Sequence, residues 1–222
     1  MCWEFDSHYL LTHPYTESRS GGIFVLSMKR YFIIYKPYLV LSQFTSQLKK
    51  QRLVDFFDVP KNVYPVGRLD EDSEGLLILA NDEQLNHRLL NPSFAHEREY
   101  FVQVDGAITQ EAIQQLQNGV EINVNSKLYK TKKCKVELFE ETPIVPERNP
   151  PIRFRKEIPA SWIRMILTEG KNRQVRKMTA KVGFPTLRLI RYRIEGIELG
   201  NLQPGKLIEL PQKTIYKKLF HE

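Results

Sequence analysis

The hydrophobic pattern along the chain changes period several times, and each change marks an element. Tyr31-Phe32-Ile33-Ile34-Tyr35 is an unbroken apolar run of strand length, which predicts a buried strand. Leu76-Leu77-Ile78-Leu79-Ala80 is a second such run, closed by Asn81-Asp82. Asp82 is the expected cap of a short helix carrying Leu85 and Leu89. That helix stops at Asn91-Pro92, because a residue before proline avoids helical geometry. Residues 100–104 read as a strand ended by Asp105-Gly106. Thr109 then opens an amphipathic helix with Ile113 and Leu116 on one side and Gly119 as its stop. Two alternating stretches follow, residues 132–139 with Cys134, Val136 and Leu138 on one face and residues 162–168 with Ile163, Met165 and Leu167 on one face. Asn172 is the expected cap of a helix presenting Val175, Met178 and Val182 at helical spacing, with Arg173, Arg176 and Lys177 beside that stripe. A final alternating strand, residues 187–194, sets Leu187, Leu189, Arg191 and Arg193 on one face.

Strands and helices mix without a regular strand-helix repeat. This predicts an α+β fold with a mostly antiparallel mixed sheet and flanking helices. Residues 1–28 show no sustained period and read as a loosely held extension, with Met28 standing as an alternative start. Residues 29–222 form one domain, and no internal repeat is present. Residues 142–159 hold five prolines and predict a long irregular loop, a kind that is usually functional or disordered.

Composition narrows the classes. No apolar run approaches the roughly 20 residues that span a bilayer, and no secretory leader is evident at the N-terminus. Cys2 and Cys134 have neither metal-ligand spacing nor the numbers for a disulfide framework, so a reducing cytoplasm is expected. The five histidines show no ligand spacing. Net charge is +7, but residues 148–193 hold 13 basic and two acidic residues, +11, which leaves −4 for the rest. A basic block on a slightly acidic chain fits a polyanion partner, though a solvated lysine-rich face has the same look.

The acidic turn Asp70-Glu71-Asp72-Ser73-Glu74-Gly75 sits directly before a buried strand and supports three readings. A calcium loop would need a bidentate Glu at its twelfth position and a helix after it; Asn81 and an apolar strand stand there instead. A plain solvated turn remains, as does a catalytic carboxylate at Asp70, kept ionised and oriented by a neighbouring arginine such as Arg68.

Gly67-Arg68-Leu69-Asp70 with Asp72-Ser73-Glu74-Gly75-Leu76-Leu77 resembles the signature of the RsuA branch of RNA pseudouridine synthases. Glu169-Gly170-Lys171-Asn172-Arg173-Gln174-Val175-Arg176-Lys177-Met178 resembles the branch's second hallmark, and Gly183-Phe184-Pro185 and Leu189-Ile190-Arg191 continue the match. The likeness runs from about residue 36 to residue 210. Within the branch it is closest to the E-type group acting on large-subunit (23S) ribosomal RNA, on Arg148-Asn149-Pro150-Pro151-Ile152-Arg153, Ile158-Pro159, Ser161-Trp162 and Thr186-Leu187-Arg188-Leu189-Ile190-Arg191-Tyr192. Like that group, the chain has no room for the separate N-terminal RNA-binding domain of many relatives.

The resemblance implies isomerisation of a uridine already in RNA, which needs no cofactor. Asp70 would be the nucleophile or base, Tyr100 the aromatic that stacks on the base and moves protons, and Arg176 the arginine that ion-pairs the aspartate. Arg98 stands where the branch often has lysine, and Ile190 where relatives place an aliphatic residue under the base. A base in structured RNA must be flipped out first, which costs about a few kcal/mol. Arg68 is then expected to fill the gap or hold a phosphate. Lys171, Arg173, Lys177, Arg188 and Arg191 are expected to track phosphates, and Phe154, Trp162 or Tyr192 to stack on bases. The expected partner is ribosomal RNA, with a monomeric protein, no metal and no membrane. The competing readings are a non-catalytic RNA-binding or ribosome-assembly protein and a synthase for another RNA, such as 16S rRNA or tRNA.

Overall fold

A computed structural model describes residues 28–152 and 159–222. The extension read over residues 1–28, apart from Met28, lies outside the described residues, as does Phe154. Strand β1 (Tyr31–Lys36) is buried along its whole length, as an unbroken apolar run requires. It pairs antiparallel with β3 (Glu74–Ala80), which is also buried throughout. The other edge of β3 is divided: β2 (Tyr64–Val66) takes residues 78–80, and β9 (Thr186–Ile194) takes only Glu74 and Gly75, in parallel. From β9 the sheet runs antiparallel through β4 (Arg98–Asp105), β8 (Ala160–Leu167) and β7 (Lys135–Leu138). On the far side, β11 (Leu207–Glu209) extends β1, and β10 (Ile197–Glu198) folds back on β9. The sheet order is therefore β11-β1-β3-β9-β4-β8-β7. The expected α+β, mostly antiparallel fold is what forms.

Four helices flank it: α1 (Glu83–Leu90), α2 (Gln110–Asn118), α3 (Gln174–Lys181) and α4 (Gln212–Phe220). Asp82 and Thr109 cap α1 and α2 through their side chains, as their sequence positions predict. The cap of α3 is not Asn172. Arg173 takes that place in a left-handed conformation, φ 53°, with no side-chain cap bond. Strand β9 is also not the last element, since β10, β11 and α4 follow it. A small hairpin, β5 (Glu121–Val124) with β6 (Lys127–Lys130), lies apart from the main sheet.

The two faces of the sheet are covered differently. On one face Ile33, Tyr35, Leu76, Ile78, Phe101 and Ile190 form one cluster with Leu85 and Leu89 of α1 and Ile215 and Leu219 of α4. On the other face the core is split. Val102, Val104, Ile163, Met165 and Leu189 pack with α2 and α3, while Phe32, Ile34, Leu77 and Leu79 pack with Leu53 and Phe57. Between these clusters lie β3 and β9 at their short parallel contact. The expected RNA-binding cleft is assigned to this division of the core, and the acidic turn leads into β3 beside it.

Candidate active site

The turn before β3 is fixed by its backbone. Ser42 Oγ donates to the Leu69 carbonyl at 2.7 Å and accepts from the Leu69 amide at 3.0 Å. Lys36, fully buried, donates its ammonium to the carbonyls of Pro37 at 2.9 Å, Val40 at 2.7 Å and Glu71 at 3.4 Å. Burial pushes its pKa down to about 7, against the pull of Glu74, Asp72, Asp70 and Glu71. The Ser73 amide closes the turn on the Asp70 carbonyl at 3.0 Å. Gly75 is where the turn meets β9: its φ is +106°, and a Cβ there would stand 2.4 Å from the Arg191 carbonyl oxygen. Only glycine allows that approach.

Asp70 is thus presented half-buried, with Arg173 Nη1 at 3.7 Å. Arg173 sends its fork to Asp72, at 2.9 and 2.7 Å. Arg176 has its Nε 3.3 Å from Asp72 and donates to the carbonyls of Asp72 and, at 3.4 Å, Thr186. The expected pairing of Arg176 with Asp70 is therefore replaced: Arg176 pairs with Asp72, and Arg173 is the arginine beside Asp70. Arg173 is the left-handed cap residue of α3 and is more exposed than Arg176. Burial alone would raise the Asp72 carboxyl. The hydrogen bonds from Arg173 and the charges of Arg176 and Arg173 outweigh it and hold the carboxyl below its ordinary range.

The other acids of the turn also have partners. Glu71 pairs with Lys50 at 2.6 Å. Glu74 is buried and takes Arg188 in a forked pair at 2.9 and 2.8 Å. Arg188 is thereby removed from the expected phosphate-tracking set: its charge is spent inside, and its remaining reach goes to the Pro146 carbonyl at 2.8 Å. Arg191 is likewise buried and donates Nε to the Leu76 carbonyl at 2.8 Å. Neither side chain is available to follow a backbone on the surface. Arg68 and Lys171 are exposed and Lys177 half-buried, with no ion pair among the described residues. Lys171 Nζ lies over the Tyr129 ring, 4.9 Å from its centroid.

Sheet register joins Tyr100 to this turn. Gly75 pairs with Arg191, and Arg191 pairs with Tyr100, so all three lie in one row across β3, β9 and β4. Two strand spacings put Tyr100 roughly 10 Å from Gly75 along the sheet. Tyr100 packs against the cluster of Val102 and Leu189, on the cleft face. Ile190 points the other way, into the opposite core, and Trp162 is buried there too; neither is open to a base. Tyr192 lies stacked on Phe101, centroids 4.3 Å apart and planes at 11°. Arg191 and Arg193 do not share a face as simple alternation predicted. The register slips between Glu99 and Tyr100, which are opposed by Arg193 and Arg191 respectively, leaving Tyr192 as an extra residue. Arg193 consequently pairs with Glu99 and Glu97 at 2.7 and 3.0 Å.

The irregular loop is tied down where it is described, with the Arg148 guanidinium over the Tyr38 ring at 4.2 Å. Arg98 is held by the carbonyls of His96 and Leu89, at 3.1 and 2.9 Å. A connection invisible in the sequence anchors the start of α3: Glu169 accepts from Tyr129 Oη, from the Lys132 amide at 2.9 Å and from Gln174 Nε2 at 2.6 Å.

Residues 30–181 match the RNA pseudouridylate synthase family. The chain belongs to that family. It is 46% identical over 185 residues to the ribosomal large subunit pseudouridine synthase E of Vibrio parahaemolyticus, covering 83% of this chain and 75% of the relative. To the protein of the same name from Xanthomonas axonopodis pv. citri it is 46% identical over 174 residues, covering 78% and 89%. A crystal structure of a pseudouridylate synthase superposes with a TM-score of 0.69 at 24% identity, covering 86% of this chain and 74% of that one, a likeness of fold.

For an RNA pseudouridylate synthase the cleft offers a carboxylate, a phenol and buried cations. Among the described residues no group of His, Cys, Asp and Glu is arranged to hold a metal ion. No helix among them is long and apolar enough to cross a membrane.

Proposed function

We propose that this chain converts a uridine of large-subunit (23S) ribosomal RNA into pseudouridine, acting as a cytoplasmic monomer. Asp70 is the carboxylate that acts on the uridine as nucleophile or base, Tyr100 faces the flipped base, and Arg173 with Arg176 steadies the turn through Asp70 and Asp72. One observation carries the reading: the turn is locked by Ser42, Lys36 and the Gly75 approach, while the Asp70 carboxylate stays half-exposed beside Arg173. A turn that only faced solvent would not need three backbone anchors. The N1–C1′ bond of the uridine breaks, the base turns, C5 bonds to C1′, the C5 proton leaves and N1 takes one up. Atoms and charge balance without a co-substrate. The 23S target rests on the two ribosomal large subunit relatives above.

The test incubates the purified protein with unmodified ribosomal RNA and maps pseudouridine by chemical probing and reverse transcription. The expected outcome is one modified uridine in 23S RNA. Asp70→Asn abolishes conversion and leaves RNA affinity within about fivefold of the parent, since the lost group acts on the reacting centre. No pseudouridine from the parent in any ribosomal or transfer RNA would leave a non-catalytic RNA-binding protein as the reading. Conversion by Asp70→Asn would remove Asp70 from the mechanism.

A further inference from the structure

Arg188 and Arg191 are buried beside the cleft and Arg176 is half-buried near them; Arg188 has the carboxylate of Glu74 and Arg176 that of Asp72. Arg191 has none among the described residues. Only 5% of it is exposed, Nε is held by the Leu76 carbonyl, and Nη2 is buried without a hydrogen-bond partner. Among the described residues Tyr100 interacts with it, beside it in the row Gly75–Arg191–Tyr100, and the nearby charge of Arg98 is of like sign. An unpaired buried cation destabilises a fold, and nothing in the packing of β9 requires one. Its position does suggest a use, because it lies on the face of the sheet where the core is split and directly beneath the expected base site.

We propose that Arg191 is a positioning residue for the isomerisation, holding the Tyr100 hydroxyl over the base site and placing a buried positive charge under the departing base. The proposal rests on the assignment of Asp70 and Tyr100 above. When the N1–C1′ bond breaks, its electron pair stays on the base and leaves an anionic uracil, its charge spread over N1, O2 and O4. That charge persists until C5 has bonded to C1′, after which a proton moves from C5 to N1 in the neutral base. A fixed cation in a water-poor site stabilises such an anion far more than it stabilises the neutral uridine. Burial lowers the Arg191 pKa, the Tyr100 hydroxyl opposes this, and a guanidinium starts high enough to stay charged at neutral pH. Because β9 and β3 meet at only two residue pairs, the Nε bond to Leu76 is what aims the side chain.

The test uses the full chain with unmodified large-subunit ribosomal RNA and three readouts: conversion rate at saturating enzyme in a single turnover, RNA dissociation constant, and thermal midpoint. Arg191→Met is expected to slow conversion at least ~30-fold, with RNA affinity within about threefold and a thermal midpoint equal to or above the parent's. Arg191→Lys restores the charge and should recover most of the rate. In a Tyr100→Phe background, Arg191→Met should slow the reaction further by less than about threefold, because the two residues act as a unit. Weakened RNA binding with the saturated rate intact would make Arg191 a phosphate contact and overturn the proposal. So would a lower thermal midpoint with an unchanged rate, or full additivity with Tyr100→Phe. A parent that converts RNA and an inactive Asp70→Asn confine any such failure to Arg191.

Discussion

The Asp82 side chain is almost fully buried where β3 ends, and donors converge on it from three parts of the chain. Tyr31 and Tyr216 each donate a hydroxyl at 2.7 Å, Lys29 its ammonium at 2.9 Å, and the Gln84 amide completes the cap of α1 at 3.2 Å. Burial pushes the carboxyl up, but the hydrogen bonds from Tyr216, Tyr31 and Lys29 bring its pKa down to about 2 from an ordinary 3.8. A folded value below the unfolded one contributes stability above about pH 4, lost progressively as pH falls toward 2. The shift corresponds to about 2 kcal/mol. Asp82→Asn should therefore lower the thermal midpoint at pH 7 by roughly 4–8 °C. Melts between pH 2 and 7 should also show a shallower acid decline for the variant than for the parent; parallel declines would refute the assignment. The sequence made Asp82 legible as a helix cap, since capping is local. It could not show Tyr31 and Tyr216, which are 51 and 134 residues away in the chain.

Among elements, the strands buried on both faces were the easiest to read, because an apolar run needs no partner to be recognised. What alternation could not give was the relation between strands. The two-residue parallel contact of β3 with β9 has no signature except Gly75, and the slip at Tyr192 that sets Arg191 and Arg193 on different faces is defined only by the partner strand β4. The hairpin β5–β6 also escaped, its four-residue strands being too short for a period to show. Gly75→Ala tests the contact. The added Cβ meets backbone of β9 at 2.4 and 2.8 Å, and the positive φ adds strain. Neither strand can yield, because β1 holds one and β4 the other. A loss of about 2–4 kcal/mol is expected, by the mechanism of overpacking combined with backbone strain. Chemical denaturation would measure it, and the variant should lose conversion as well, since Arg191 must move. A variant as stable and active as the parent would mean that the two strands are not so closely joined.

At the scale of the whole molecule, the charge count fitted a polyanion partner but overstated how much charge is free to bind one. Of the block over residues 148–193, Arg164, Arg173, Arg176, Arg188 and Arg193 are committed to Glu137, Asp72, Glu74 and Glu97 or Glu99, and Arg191 is buried. The residues that make the sequence look basic are in large part holding the fold together. Cations without an ion pair among the described residues remain at Lys171 and Lys177 around the start of α3 and at Arg68 on the turn. Each phosphate contact a lysine makes releases counterion and adds about 0.7–0.9 to the slope of log affinity against log salt. Replacing Lys171 and Lys177 together by alanine should therefore reduce that slope by about 1.5, weakening all RNA sequences alike. Arg164→Ala removes the same kind of charge from the same block, yet its guanidinium is occupied by Glu137 and Glu99. It should leave the slope unchanged and lower the thermal midpoint instead. Binding titrations over a series of salt concentrations separate the two. An equal fall in slope for Arg164→Ala would mean that RNA reads the block by its total charge and not by which cations the fold has left free.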